Sequence, residues 1–294
     1  MRGLKRLWFL TEYALAQILF FLIGIAPLGV LLILTEVLAR FFFLILFHRR
    51  RIAMDNLLRA GVCAQPDEAR RMTLQCFRTF VAMVLETMAA RRRIRADNWK
   101  DHVHLEITRE AADLLRKPGQ GLIVASAHIG NWDVVARAIS AIKPVSAIYR
   151  PFNNPYLDRS VRASRSGMHL HLISKFMENP LRLLQILSRG EILAIMIDQH
   201  ESDGLPVQFF GRPARTTRSV AMLHFTTRVP VLFAFSIRTG PLQYELHVVG
   251  PLVHERTGDR KRDGFEFTQR LTHEIETIAR RYPEQYMWGH RRWK

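Results

Sequence analysis

Only two cysteines, Cys63 and Cys76, occur in 294 residues. That number excludes a disulfide framework, and their spacing suits no metal site. Both fall in stretches with helical patterning, where a free cysteine is a small buried hydrophobe. No GxGxxG turn and no Walker sequence is present, so the chain lacks the usual nucleotide-phosphate loops. There are no internal repeats and no low-complexity tract. Acidic residues are scarce: 26 Asp and Glu stand against 43 Lys and Arg, a formal charge of +17. Such an excess selects anionic partners: a phospholipid surface, a phosphorylated lipid, an acidic protein or nucleic acid. An aromatic-interleaved RNA motif is absent as well, which weighs against nucleic acid.

What the chain has in plenty is apolar sequence, 48% of its residues. Its length suits one large α/β domain with an extra element. Much of the excess lies near the start. From Tyr13 to Phe47 the run is interrupted only by Gln17, Glu36, Arg40 and a Pro27-Leu28-Gly29 kink. A membrane-spanning helix needs about 20 mostly apolar residues, and Ala14 to Leu34 supplies them. The stretch is too long for a cleaved signal peptide and no small-residue site closes it. Residues 1–50 therefore read as a membrane anchor and 51–294 as the body. The anchor is either a tilted span continuing into an interfacial helix or a helical hairpin bent at Pro27. Basic residues flank both ends (Arg2, Lys5 and Arg6 before, Arg49, Arg50 and Arg51 after), so the positive-inside rule leaves orientation open. The basic body belongs against the anionic cytoplasmic leaflet in either case.

Past residue 50 the pattern alternates. Pro66 to Ala90 reads as an amphipathic helix, ended by the basic cluster Arg91, Arg92, Arg93 and Arg95. That cluster is either a solvated helix end or a contact for phosphates. Strands are expected at Val103 to Ile107, Leu122 to Ala125, Val145 to Tyr149, His169 to Ile173, Ile192 to Ile197, Val231 to Ile237 and Tyr244 to Val249. Helices are expected at Glu110 to Leu115, Trp132 to Ile139, Pro180 to Leu187, Ser219 to Thr227 and Phe265 to Arg281. This rhythm implies an α/β fold with a mixed, mainly parallel sheet flanked by helices.

The most informative stretch runs from Gly121 to Val134. A short apolar strand meets Ser126, Ala127 and His128, breaks at Gly130-Asn131, and resumes as a helix with Asp133 in its first turn. On one continuous helix His128 and Asp133 would point about 140° apart. Across a strand–turn–helix bend they can meet, which would make His128 a general base steadied by a carboxylate. The carboxyl ends of strands are also where open α/β sheets bind ligands. Ser126 reads as structural. His169 and His171 share a strand face but have no third ligand nearby, so no metal is expected.

Further along, Tyr149-Arg150-Pro151 closes a strand and opens a loop through Asn153, Asn154, Pro155, Asp158 and Arg165. Arg150 projects towards the rim that holds His128. Another strand ends in Asp198-Gln199-His200. After it come Phe209, Phe210, Gly211, Arg212, Pro213, Ala214, Arg215, Thr216 and Thr217, where aromatics could line an acyl groove beside headgroup-facing arginines. The chain ends in Pro283-Glu284-Gln285-Tyr286, then Trp288, His290, Arg291 and Arg292.

His128-Ile129-Gly130-Asn131-Trp132-Asp133 resembles the His-four-residues-acid motif of glycerolipid and lipid A acyltransferases. It looks most like the late, secondary lipid A branch. The Tyr-Arg-Pro block, the Asp-Gln to Pro-Ala-Thr block and the terminal His-Arg-Arg block match in the same order, from about Arg51 onward. Ser219 stands where many relatives have Gly, and Tyr286 where Trp is more usual. The resemblance implies transfer of a fatty acyl group from an acyl-carrier-protein or coenzyme A thioester to a hydroxyl of a phosphorylated glycolipid. It implies His128 and Asp133 as the catalytic pair. It also implies Arg150, Asn154, Arg165, Asp198, Gln199, Phe210, Gly211, Arg215 and Thr216 as substrate-binding residues. No bound cofactor and no metal are expected. Backbone amides after His128, or Arg150, are the expected holders of the oxyanion. The expected place is the cytoplasmic face of the inner membrane. Two alternatives stay open: another lipid acceptor, or a non-catalytic protein that binds anionic lipid.

Overall fold

The computed structural model describes residues 2–166, 169–176, 179 and 181–294. Two apolar helices lead: α1 (Arg2–Ile25) and α2 (Leu28–Ile45). They break at Pro27, which has no N–H to donate and disfavours helix at the residue before it. Each is long and apolar enough to cross a membrane, and together they fit a membrane anchor. Most of their large side chains, among them Trp8, Phe21, Ile33 and Phe41, are exposed. One face, however, is covered. Ile23, Leu31 and Ala39 pack with Val81, Leu85 and Ala89 of α4 (Pro66–Arg93). Arg93 closes the seam by donating to the Gly24 and Ala26 carbonyls at the end of α1. Arg91 and Arg92 lie over the Phe20 and Phe21 rings. Three members of the basic cluster therefore hold α1. Between α2 and α4 comes α3 (Phe47–Arg59), so the expected boundary after residue 50 falls inside a helix.

The body is a seven-stranded sheet in the order β1-β9-β8-β2-β5-β3-β4. Its strands are β1 (Val103–Ile107), β2 (Leu122–Ser126), β3 (Val145–Tyr149), β4 (Leu170–Ser174), β5 (Ile192–Met196), β8 (Val231–Gly240) and β9 (Gln243–Val249). Every pairing is parallel except β8 with β9, as the mixed, mainly parallel expectation required. The central strand β2 alternates strictly. Ile123 and Ala125 enter one core with Phe233, Phe267 and Leu271, while Leu122 and Val124 enter the other with Val134, Ala138 and Val145. Flanking helices are α5 (Arg109–Arg116), α6 (Trp132–Ser140), α7 (Pro155–Ser166), α8 (Leu181–Ser188), α9 (Ser219–Thr227) and α10 (Arg260–Arg281). Pro180, expected to begin a helix, lies outside the described residues.

Two stretches depart from the sequence expectation. The loop expected after Tyr149-Arg150-Pro151 becomes α7, with the Asn154 side chain accepting from the Tyr156 and Leu157 amides at its start. The stretch after Asp198 forms an antiparallel hairpin of β6 (Leu205–Phe209) and β7 (Arg212–Thr216). Pro206 and Pro213 sit on its exposed side, where a missing N–H is tolerated. Its turn places both Phe210 and Gly211 at positive φ, the geometry that matches strand twist in two-residue hairpins.

Candidate active site

Parallel register assembles the site. Ser126 of β2 lies opposite Met196 of β5, and the Ile197 amide donates to the Ser126 carbonyl. Two residues further along each chain come His128 and Asp198. The Asp198 carboxylate accepts the His128 backbone amide at 2.9 Å and meets Nδ1 of the ring at 2.7 Å. The Asp198 side chain is 4% exposed and that of His128 16%. Burial disfavours the charged imidazole, but the charge of Asp198 and its hydrogen bond outweigh that effect, and the His128 pKa is raised. Burial would likewise raise Asp198, and contact with His128 reverses it. Nδ1 is thus committed to the carboxylate. Nε2 has one long contact, 3.5 Å from the Gln199 side-chain nitrogen, which is the weak limit of hydrogen bonding. The Trp132 ring packs edge-on against the imidazole, centroids 4.9 Å apart.

Asp133 is not the partner of His128. It sits in the first turn of α6, where Asn131 caps the helix by accepting from the Val134 amide at 3.2 Å. Its carboxylate pairs with Arg137, one turn on at 3.1 Å, and with Arg165 of α7. Arg137 also donates to the Ser164 carbonyl. The expected bend between His128 and Asp133 exists, but it turns the carboxylate away from the ring and towards these two guanidiniums. Asp133 joins α6 to α7.

The turn after His128 is held by the C-terminal segment. The Gly130 amide donates to the Gln285 carbonyl and the Met287 amide to the His128 carbonyl. Gly130 has φ +54°, and a Cβ there would lie 2.2 Å from the Ser236 carbonyl oxygen, so only glycine is accommodated. The Ile129 amide is taken by the Ala127 carbonyl. Of the backbone amides after His128 expected to hold an oxyanion, those of Ile129 and Gly130 therefore have partners already, while Arg150, the alternative, lines a cavity with His128. The strap itself is held in two places. Asn56 of α3 donates to the Trp288 and His290 carbonyls, both at 2.8 Å. Buried Arg292 donates to the Gln199 and Arg215 carbonyls and to the Thr216 hydroxyl. Neither Asn56 nor this strap carries a sequence signal that links it to His128.

Two cavities meet at the imidazole, and His128, Trp132 and Gln199 line both. One, of about 430 Å³, runs between α3, α4 and the strap, with Leu46, Phe77, Phe80, Met83 and Trp288 in its wall. The other, of about 980 Å³, opens along β3 and β5 and is edged by Arg150, Arg165 and Lys175. Of the expected substrate residues, Arg150, Arg165 and Gln199 line a cavity, and Asp198 lies under the base. Asn154, Phe210, Gly211, Arg215 and Thr216 are not among the residues lining either one. Asn154 is buried and donates to the Phe9 carbonyl and Glu12 of α1. Phe210 packs on Phe209 and Trp288; Gly211 completes the hairpin turn, and Arg215 and Thr216 anchor Arg292. Among the described residues no cluster of three His, Cys, Asp or Glu is placed to hold a metal.

A sequence profile of the family described as bacterial lipid A biosynthesis acyltransferase matches residues 3–294. The chain is 24% identical over 256 residues to lipid A biosynthesis palmitoleoyltransferase of Escherichia coli (strain K12), covering 84% of this chain and 79% of that protein. It is equally similar to lipid A biosynthesis acyltransferase of Shigella flexneri, 24% over 256 residues with the same coverage. A buried His–carboxylate pair on the rim of an α/β sheet, two apolar leading helices and a family match over nearly the whole length agree: the chain belongs to the bacterial lipid A biosynthesis acyltransferases.

Proposed function

We propose that His128 is the general base that moves a fatty acyl group from a carrier-protein or coenzyme A thioester to a hydroxyl of a phosphorylated lipid A precursor. The observation that carries this reading is that His128, with Nδ1 held by Asp198, lines both the apolar and the cation-edged cavity. Asp198 holds the ring in the tautomer with the proton on Nδ1 and stabilises the imidazolium that forms. Nε2 then takes the proton of the acceptor hydroxyl. The oxygen attacks the thioester carbonyl, the carbon–sulfur bond breaks, and the departing thiolate recovers the proton from the imidazolium. No covalent enzyme intermediate is required. The apolar cavity suits the acyl chain. Arg150, Arg165 and Lys175 suit phosphates of the acceptor or of coenzyme A. The surplus of positive charge suits an acidic carrier and the anionic cytoplasmic leaflet. Leu46 lies in the apolar wall one residue past α2, which puts that cavity beside the anchor.

The test is acyl transfer by the purified full-length protein in detergent, with both thioester types offered in parallel to a lipid A precursor. A general base typically contributes about 10²–10⁴-fold. His128→Ala should lose at least a hundredfold on that scale, with its melting temperature preserved. A loss below tenfold would remove His128 from the role.

A further inference from the structure

The proposed reaction places negative charge on the thioester oxygen, and the amides of Ile129 and Gly130 are already engaged. The apolar cavity is lined by a second imidazole, His290, besides that of His128. Three hydrogen bonds hold the backbone that carries it: those from Asn56 to the Trp288 and His290 carbonyls, and one from Arg49 to the Gly289 carbonyl at 3.1 Å. Such support from α3 is more than a loose chain terminus needs. Nδ1 of His290 is shielded from solvent and has no hydrogen-bond partner among the described residues. A buried N–H without a partner is rarer than an acceptor without one. The tautomer with the proton on Nε2 is therefore favoured, and Nε2–H becomes the group that the ring can offer. Burial holds the His290 pKa below its ordinary value against the opposing pull of Asp198, so the ring is a neutral donor.

From this geometry we infer that His290 contacts the substrate, donating Nε2–H to the thioester carbonyl oxygen as the acceptor oxygen adds to it. The inference rests on the acyl-transfer reading of His128. A donor aimed at developing charge acts on turnover more than on binding, with losses of about 10²–10³ when it is removed. His290→Phe keeps an aromatic ring without the donor; His290→Gln restores a donor of similar reach. The full-length variants are assayed with carrier-protein and coenzyme A thioesters beside His128→Ala. His290→Phe should lower kcat about a hundredfold with KM for the thioester within threefold, and His290→Gln should recover part of it. Unchanged kcat in His290→Phe overturns the inference. So does an equal loss in both variants that tracks a fall in melting temperature, because that marks a purely structural ring. If His128→Ala retains turnover, the reading of His128 fails instead, whatever the His290 variants do.

Discussion

Asp133 and Asp198 are both buried carboxylates near a strand end, and their neighbours separate them. Asp198 faces one imidazole; Asp133 faces two guanidiniums, of which Arg137 is 4% exposed and Arg165 18% exposed. Removing the carboxylate from a buried pair leaves charge uncompensated, typically at about 3–5 kcal/mol. Asp133→Asn should therefore lower the melting temperature by several degrees, and circular dichroism on heating measures it. A variant with wild-type melting would show that the arginines need no partner. Sequence spacing made Asp133 the natural choice, since it lies five residues from His128. Asp198 is 70 residues away, and the pairing register of two parallel strands is not written in either one. The signal was nevertheless present: two buried strands, each ending two residues before a polar group that could reach the other.

At the scale of elements, what was legible followed from local apolar runs and periodicity. The short apolar run of β2 and the apolar face of α4 are local properties of the chain, and the seven strands of the sheet were visible for such local reasons. The β6–β7 hairpin was not, because two prolines and two arginines obscure a period of two that Leu205, Val207 and Phe209 do carry. α7 was hidden by its polar composition: Tyr149 and Asp158 bond across its first turn, while the Asn154 cap read as loop. The C-terminal strap illustrates a third case. Its aromatic and basic residues were visible, but its role as a wall of the site depends on α3, more than 200 residues earlier. Asn56→Ala tests that link. It leaves the Trp288 carbonyl without its partner, at about 1–3 kcal/mol if that group stays buried, while the His290 carbonyl keeps the Arg292 amide. Protease cleavage near Trp288 should become faster, and acyl transfer should fall with it. Unchanged cleavage would show that the strap holds without α3.

Across the whole molecule, the leading helices, which fit a membrane anchor, are also part of the fold. Ile23, Leu31 and Ala39 complete a core on α4, and Glu12 and Gln17 of α1 bond to Asn154 and Ser160 at α7. A simple tether could be removed to leave a soluble domain. Here, deletion of residues 1–45 exposes Val81, Leu85 and Ala89 and frees Arg78 and Arg93 from their partners. The truncated protein should aggregate or melt well below the full chain in detergent; a stable, monodisperse truncation by size-exclusion chromatography would contradict this. The central claim, that Asp198 tunes His128 as the base, is tested most directly by the pH dependence of kcat/KM in the wild type and in Asp198→Asn. A base acts when unprotonated, so activity falls as pH drops through its pKa, and in the wild type that limb should lie above the ordinary histidine value of 6.5. Without the carboxylate, burial alone acts on the ring: the limb should move to lower pH, and the plateau should fall at least tenfold, within the range of about 10²–10⁴ expected of general-base catalysis as a whole. Superimposable profiles for the two proteins would contradict the account.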